Sequence, residues 1–202
     1  MSELATLDDI LTRQRAFPSP LTIGVLADTH IWRNGARTLP WEVPRLLSRL
    51  KVDLILHAGD ISDESVLAAL HPVAPVIAVY GNNDGPELRS QLALRETIDA
   101  GGHRIGLVHG HGGRTARQVA FEAFPDPCEL VVYGHSHIPK IEQHHDTVFF
   151  NPGSPTDRRW SPHFGVGLIR CDEEGLNPEL ILFSKASDLD SVSPDSGDPN
   201  SN

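Results

Sequence analysis

The chain has 202 residues, 39% hydrophobic and 22% charged, the length of one domain that folds without disulfide or zinc staples. No apolar run approaches the ~18 residues of a membrane helix, and the acidic start Met1-Ser2-Glu3 lacks the pattern of a secretory signal, so a membrane protein and a secreted disulfide scaffold are excluded. A net charge of −10 opposes a broad nucleic-acid surface.

Residues 1–20 read as an N-terminal extension with a short helix, in which Thr6 and Asp9 resemble a capping box and Pro18 and Pro20 end the element. Short, β-branched apolar runs follow, each closed by a polar cluster. Leu21 to Ala27 ends in Asp28-Thr29-His30, and Val52 to Leu56 in His57-Ala58-Gly59-Asp60. Val76 to Tyr80 ends in Gly81-Asn82-Asn83-Asp84, and Ile105 to Val108 in His109-Gly110-His111. Leu130 to Tyr133 ends in Gly134-His135-Ser136-His137, and Val148 to Phe150 in Asn151-Pro152-Gly153-Ser154. These runs predict buried strands.

Helices are predicted over Trp41 to Leu50, Asp63 to Leu70 with Ser62 as N-cap, Glu87 to Leu94 behind Pro86, and Thr115 to Phe124. Gly165 to Cys171 and Glu179 to Phe183 read as two strands about a turn at Gly175-Leu176-Asn177-Pro178. Residues 21–184 are expected to form one α/β domain, and residues 185–202 an acidic, disordered tail. Cys128 and Cys171 belong to no Cys-x-x-Cys pair and read as buried thiols in a reducing cytoplasm.

The polar residues behind these strands are of one chemical kind: Asp28, His30, Asp60, Asn82, His109, His135 and His137. In α/β sheets the turns after the strands converge on one crevice. Carboxylate and amide oxygens with imidazole nitrogens suit Mn, Fe, Ni, Co or Zn better than copper or a calcium cage. In Asp28-x-His30 and His135-x-His137 residues i and i+2 of an extended segment would point the same way. Seven ligands exceed what one ion with an open position takes. They suit two ions ~3.5–4 Å apart on a bridging carboxylate, an arrangement for phosphate-ester hydrolysis.

The ordered series Asp-x-His, Gly-Asp, Gly-Asn-x-Asp, His-Gly-His and Gly-His-x-His, with Asn-Pro-Gly-Ser after it, resembles the calcineurin-like metallophosphoesterases, in particular their small single-domain YfcE-like phosphodiesterase branch. The resemblance covers residues 21–184. It implies a four-layer αββα sandwich of two mixed sheets flanked by helices, and a hydrolase with two divalent ions, manganese first among Mn, Ni, Co, Fe, Zn and Mg. Asp28, His30 and His137 would hold the first ion, Asn82, His109 and His135 the second, with Asp60 bridging. A bridging hydroxide would attack phosphorus directly. Larger relatives place a proton-donating His where Asn83 stands, so a phosphodiesterase with good leaving groups is expected, with His111 as substitute donor.

The alternatives are a phosphomonoesterase and a non-catalytic scaffold like the retromer subunit of similar fold. Asp84 is read as a carboxylate orienting a ligand imidazole, or as a plain turn residue, and His57 as part of the site wall. Arg158 and Arg159 are candidates to clamp phosphate, with Arg33 and Arg114 behind them. Trp41 and Trp160 are assigned to core packing in preference to substrate stacking. The expected partner is a small phosphoester, with no membrane; the oligomeric state stays open, a homodimer being one option.

Overall fold

Strands covered on both faces are written as continuous apolar runs rather than alternating ones, and such runs dominate the centre of both sheets. The computed structural model describes residues 12–33, 35–113 and 115–193. Among them, β1 (Thr12–Phe17), β5 (Arg95–Ala100), β6 (His103–Val108), β7 (Leu130–Tyr133), β9 (Thr147–Asn151) and β8 (Lys140–His144) form a six-stranded sheet in that spatial order. A five-stranded sheet runs β11 (Gly175–Phe183), β10 (Phe164–Asp172), β2 (Leu21–Leu26), β3 (Leu54–His57) and β4 (Val76–Ala78). Both are mixed: β2, β3 and β4 are parallel while β10 is antiparallel to β2, and β6, β7 and β9 are parallel while β5 is antiparallel to β6 and β8 to β9.

The two sheets face each other. Ile23, Val25, Leu54 and Leu56 from one meet Ile105, Leu107, Leu130, Val132 and Phe150 from the other in a buried core. The period of two sends the alternate residues outward. Leu26 and Ile55 pack under α1 (Glu42–Arg49) and α2 (Ser65–Leu70) through Val43, Leu46, Leu47, Val66 and Leu70, with Leu88 of α3 (Pro86–Gln91) joining them. Val131, Tyr133 and Phe149 pack under α4 (Ala116–Glu122) through Ala116 and Ala120. The result is the expected αββα sandwich. No helix among the described residues is long and apolar enough to cross a membrane.

Four local expectations are corrected. Residues 12–17, assigned to the extension, form β1, which pairs in parallel with β5; residues 1–11, with the expected helix, lie outside the described residues. Arg15 reaches the buried Glu96 across that pair at 3.7 Å, so an ion pair rather than apolar periodicity marks it. Ser62 is not an N-cap: its φ is 72° and α2 begins at Ser65. The turn between β10 and β11 falls at Glu173-Glu174, because Asp172 already pairs with Gly175; Pro178 is tolerated because β11 is an edge strand. Part of the supposed tail is folded: Ala186–Ser191 form a 3-10 turn that buries Leu189, and Arg49 donates to the carbonyls of Leu189 (2.5 Å) and Val192 (3.0 Å). Residues 194–202 lie outside the described residues.

Phe150 is fully buried between the sheets, and its ring fills the space over Gly167, where a Cβ would come within 2.6 Å of it. Phe150→Ala should therefore lower unfolding free energy by about 3–5 kcal/mol, checked by denaturant titration.

Candidate metal centre

The parallel strands of both sheets send their C-terminal turns to one edge, and these turns are locally strained. Asp28 (φ 55°), His30 (46°), Asp60 (55°), His135 (67°) and His137 (58°) all adopt left-handed backbone. Each such non-glycine residue costs about 1–2 kcal/mol, and strain of this kind persists where the surroundings over-determine it. Asp28 N bonds Gly59 O at 3.0 Å, His30 N bonds Asp60 O at 3.0 Å, and Gly134 N bonds His109 O at 3.1 Å. The Asp28-x-His30 and His135-x-His137 pairs thus reach the crevice by left-handed kinks, not by the strand alternation expected from their spacing.

The side chains converge in two groups. Ligating atoms of Asp28, His30 and His137 lie within 4.8 Å of one another, as do those of Asp60, His109 and His135. His30 Nε2 and His137 Nε2 face each other at 3.1 Å, with Asp28 Oδ1 3.5 Å from the latter. Asp60 Oδ2 lies 3.5 Å from His30 Nε2 and 3.3 Å from His109 Nε2, so it stands between the groups. Asn82 Oδ1 is 3.2 Å from His109 Nε2.

Two imidazoles are oriented from behind. His109 Nδ1 meets Ala58 O at 2.7 Å, and His137 Nδ1 meets the carbonyl of Asp157. A proton on each Nδ1 turns the Nε2 of each ring toward the crevice.

The charges do not balance. Asp28 is fully buried, its Oδ2 has no hydrogen-bond partner among the described residues, and burial pushes its pKa up to about 7. Burial lowers His137 to about 4 and also lowers His30 and His135, so these rings are neutral at neutral pH. His109 is raised: burial opposes its charge, but the hydrogen bond it donates to Asp60 and the charges of Asp28 and Asp60 prevail. Burial likewise works to raise Asp60, but His109 and two hydrogen bonds from Asn83 hold it below the usual carboxylate range. Two buried carboxylates thus draw on one imidazolium, while lone pairs and an orphaned oxygen converge around them. That donor set fits divalent cations.

The remaining candidates take other places. Asn83 donates to both oxygens of Asp60, from N at 2.8 Å and Nδ2 at 2.7 Å. Asp84 binds no imidazole: it accepts from the backbone amides of Asp60 (3.0 Å), Gly81 (2.7 Å) and Ser62 (2.7 Å), tying together the turns after β3 and β4. His57 is buried and lies 3.2 Å from Thr29 Oγ1, between the two residues of the first pair. His111 is half-buried, its ring centroid 5.4 Å from that of His109.

Arg158 donates to the carbonyls of Ser161 and Pro162, so its guanidinium is spent on its own loop. Arg159 is exposed but close enough to affect Asp28 and His30 electrostatically. Arg33 pairs with Asp63 at 3.5 Å, and Arg114 lies outside the described residues. Trp41 and Trp160 are 58% and 96% exposed, which overturns their assignment to core packing.

Asn151-Pro152-Gly153-Ser154 is a brace. Asn151 Nδ2 donates to Gly134 O (2.9 Å) and Ser136 Oγ (3.1 Å), and Ser154 Oγ donates to Asp28 O (2.7 Å). The motif was visible in the sequence; that its polar atoms cross to two other turns was not.

Gly81 permits the closest approach, since a Cβ there would run into Asp60 Oδ1 and lie 2.5 Å from Asp60 N. Gly81→Ala should weaken divalent-ion binding by about 10–100-fold with the fold retained, measured by calorimetric titration alongside circular dichroism.

The model of the calcineurin-like phosphoesterase superfamily domain matches residues 21–174. A probable metallophosphoesterase of Methanothermobacter thermautotrophicus is 35% identical over 169 residues, covering 80% of this chain and 92% of that protein. Phosphodiesterase MJ0936 of Methanocaldococcus jannaschii is 24% identical over 145 residues, 66% of this chain and 83% of its own length. Among solved structures, Vps29 of Entamoeba histolytica complexed with Zn²⁺ superposes with a TM-score of 0.62 at 21% identity, covering 81% of this chain and 100% of that one.

Proposed function

Because this chain belongs to the calcineurin-like phosphoesterase superfamily, we propose that it is a dinuclear metal-dependent phosphodiesterase acting on a small phosphodiester. The observation that carries this reading is the pair of donor groups, Asp28–His30–His137 and Asp60–His109–His135, linked by the 3.5 Å approach of His30 to Asp60. Asp28, His30 and His137 would hold one ion, and Asn82, His109 and His135 the other, with Asp60 shared. Manganese heads the candidates, ahead of Ni, Co, Fe, Zn and Mg. When bound, such ions supply Lewis acidity at the phosphoryl oxygens and water activated for in-line attack near neutral pH.

The chain's own residues prepare this chemistry. The Ala58 and Asp157 carbonyls fix which nitrogen of His109 and His137 faces the crevice. Asn83 grips both oxygens of Asp60 and so holds the shared carboxylate in place. An amide cannot protonate a leaving group, and the candidate donor is His111, whose ring lies 5.4 Å from that of His109 and whose pKa burial lowers. The lack of a strong acid at position 83 favours diesters with good leaving groups, in line with the phosphodiesterase named among the relatives. The buried Cys128 and Cys171 suit a reducing cytoplasm.

A scaffold role is the second reading, suggested by the Vps29 likeness; that neighbour is itself complexed with Zn²⁺, so turnover and not metal binding separates the two. The test uses chelator-stripped protein with Mn, Ni, Co, Mg or Zn added back, assayed on bis-p-nitrophenyl phosphate and p-nitrophenyl phosphate. Metal-restored turnover should favour the diester, and Asp60→Ala should lose at least about 10²-fold in kcat with circular dichroism unchanged. Full activity in Asp60→Ala, or a preference for the monoester, would contradict the reading.

A further inference from the structure

The tryptophan beside the metal centre is one that sequence inspection passed over. Trp32 stands two residues after His30 and is 49% exposed. It forms a ridge between two cavities. On one side lies a space of about 510 Å³ lined by Trp32, Arg33, Ser62, Asp63, Glu64 and Glu87 among others. On the other is one of about 390 Å³ lined by His30, Trp32, Arg37 and Asp157 among others. Trp41, by contrast, lies under the Arg45 guanidinium at 4.9 Å, and neither it nor Trp160 lines either cavity.

The stem of Trp32 is fixed. Ile31 N bonds Ile61 O at 3.2 Å, His30 N bonds Asp60 O at 3.0 Å, and Trp32 O accepts from Gly35 N at 2.8 Å. The backbone that carries the indole is therefore in register with the turns that carry His30 and Asp60. The larger cavity is built from those turns and the one after Asn82: Ser62 follows Asp60 by two residues, and Gly85 follows Asn82 by three. Trp32 also lines the smaller cavity, to whose wall the candidate ligand His30 belongs.

The chemistry of the wall selects the group. An exposed indole face favours a flat aromatic partner. Around it stand three carboxylates, Asp63, Glu64 and Glu87, against the single cation Arg33, so a further anionic group is disfavoured there. Asp63 is engaged by Ser65 N (3.0 Å) and Arg33 (3.5 Å), and Glu64 by Gln91 (2.7 Å). The Glu87 carboxylate has no hydrogen-bond or ion-pair partner among the described residues and remains as an acceptor. An aromatic ring with an outward amino donor satisfies both features; adenine has such an N–H₂ edge, whereas thymine offers a carbonyl at the corresponding position.

We propose that the Trp32 cavity is a nucleoside subsite, which stacks an amino-bearing base of a phosphodiester beside the metal centre. The proposal rests on the phosphodiesterase reading, and its test separates the two. Adenosine 5′-(p-nitrophenyl) phosphate, its thymidine counterpart and methyl p-nitrophenyl phosphate share one leaving group. The adenosine ester should show a KM roughly 10-fold below the methyl ester, the worth of one base–aromatic stack, with thymidine between them. Trp32→Ala should erase that difference while changing kcat by less than about twofold, and Trp32→Phe should restore most of it.

An equal KM for adenosine and methyl esters, or an unchanged KM in Trp32→Ala, would overturn the subsite. An equal KM for adenosine and thymidine esters would overturn the preference for an amino-bearing base. A second readout uses Trp41→Phe/Trp160→Phe protein, in which Trp32 is the sole fluorophore of its kind, titrated with adenosine in the presence of Zn²⁺. If no ester is hydrolysed, the phosphodiesterase reading fails and this titration alone decides the subsite: saturable quenching supports it, and no quenching overturns it.

Discussion

Two carboxylates buried at the meeting point of two sheets, with too little positive charge around them, are the constraint on which the rest depends. Asp28 is fully enclosed with an oxygen that none of the described residues satisfies, and Asp60 is shared among His30, His109 and Asn83. Burying an uncompensated carboxylate is expensive, and within the chain that charge is met in part by His109, whose pKa Asp60 and Asp28 raise. Divalent ions would supply that charge more fully and satisfy the Nε2 lone pairs that face one another across the crevice.

Much of the surrounding structure serves to hold this arrangement. Left-handed kinks at five candidate ligands aim their side chains inward, and bonds between turns offset the strain. Asp84 ties the turns after β3 and β4, while Asn151 and Ser154 tie the turns after β7 and β2. The second of these braces crosses from one sheet to the other. The sandwich core below, with Phe150 at its centre, fixes the distance across which the braces act.

The central strands were legible because burial on both faces writes them as unbroken apolar runs, and the polar clusters behind them marked the edge that carries the site. β1, β5 and β8 were not, because Thr12–Phe17, Arg95–Ala100 and Lys140–His144 are rich in charged and polar residues. β1 and β8 lie at sheet edges, and in β5 the buried Glu96 meets Arg15 rather than an apolar neighbour. At the site, residue type and order disclosed the cluster. The left-handed backbone, the amide clamp of Asp84 and the position of Trp32 were hidden, since each depends on how separate turns approach in space.

The most direct test of the account is to count and locate the ions, by calorimetric titration with Mn²⁺ and anomalous scattering from crystals grown with it. Two ions per chain, roughly 3.5–4 Å apart on either side of Asp60, are expected. One ion, none, or ions bound away from Asp28 and Asp60 would contradict it.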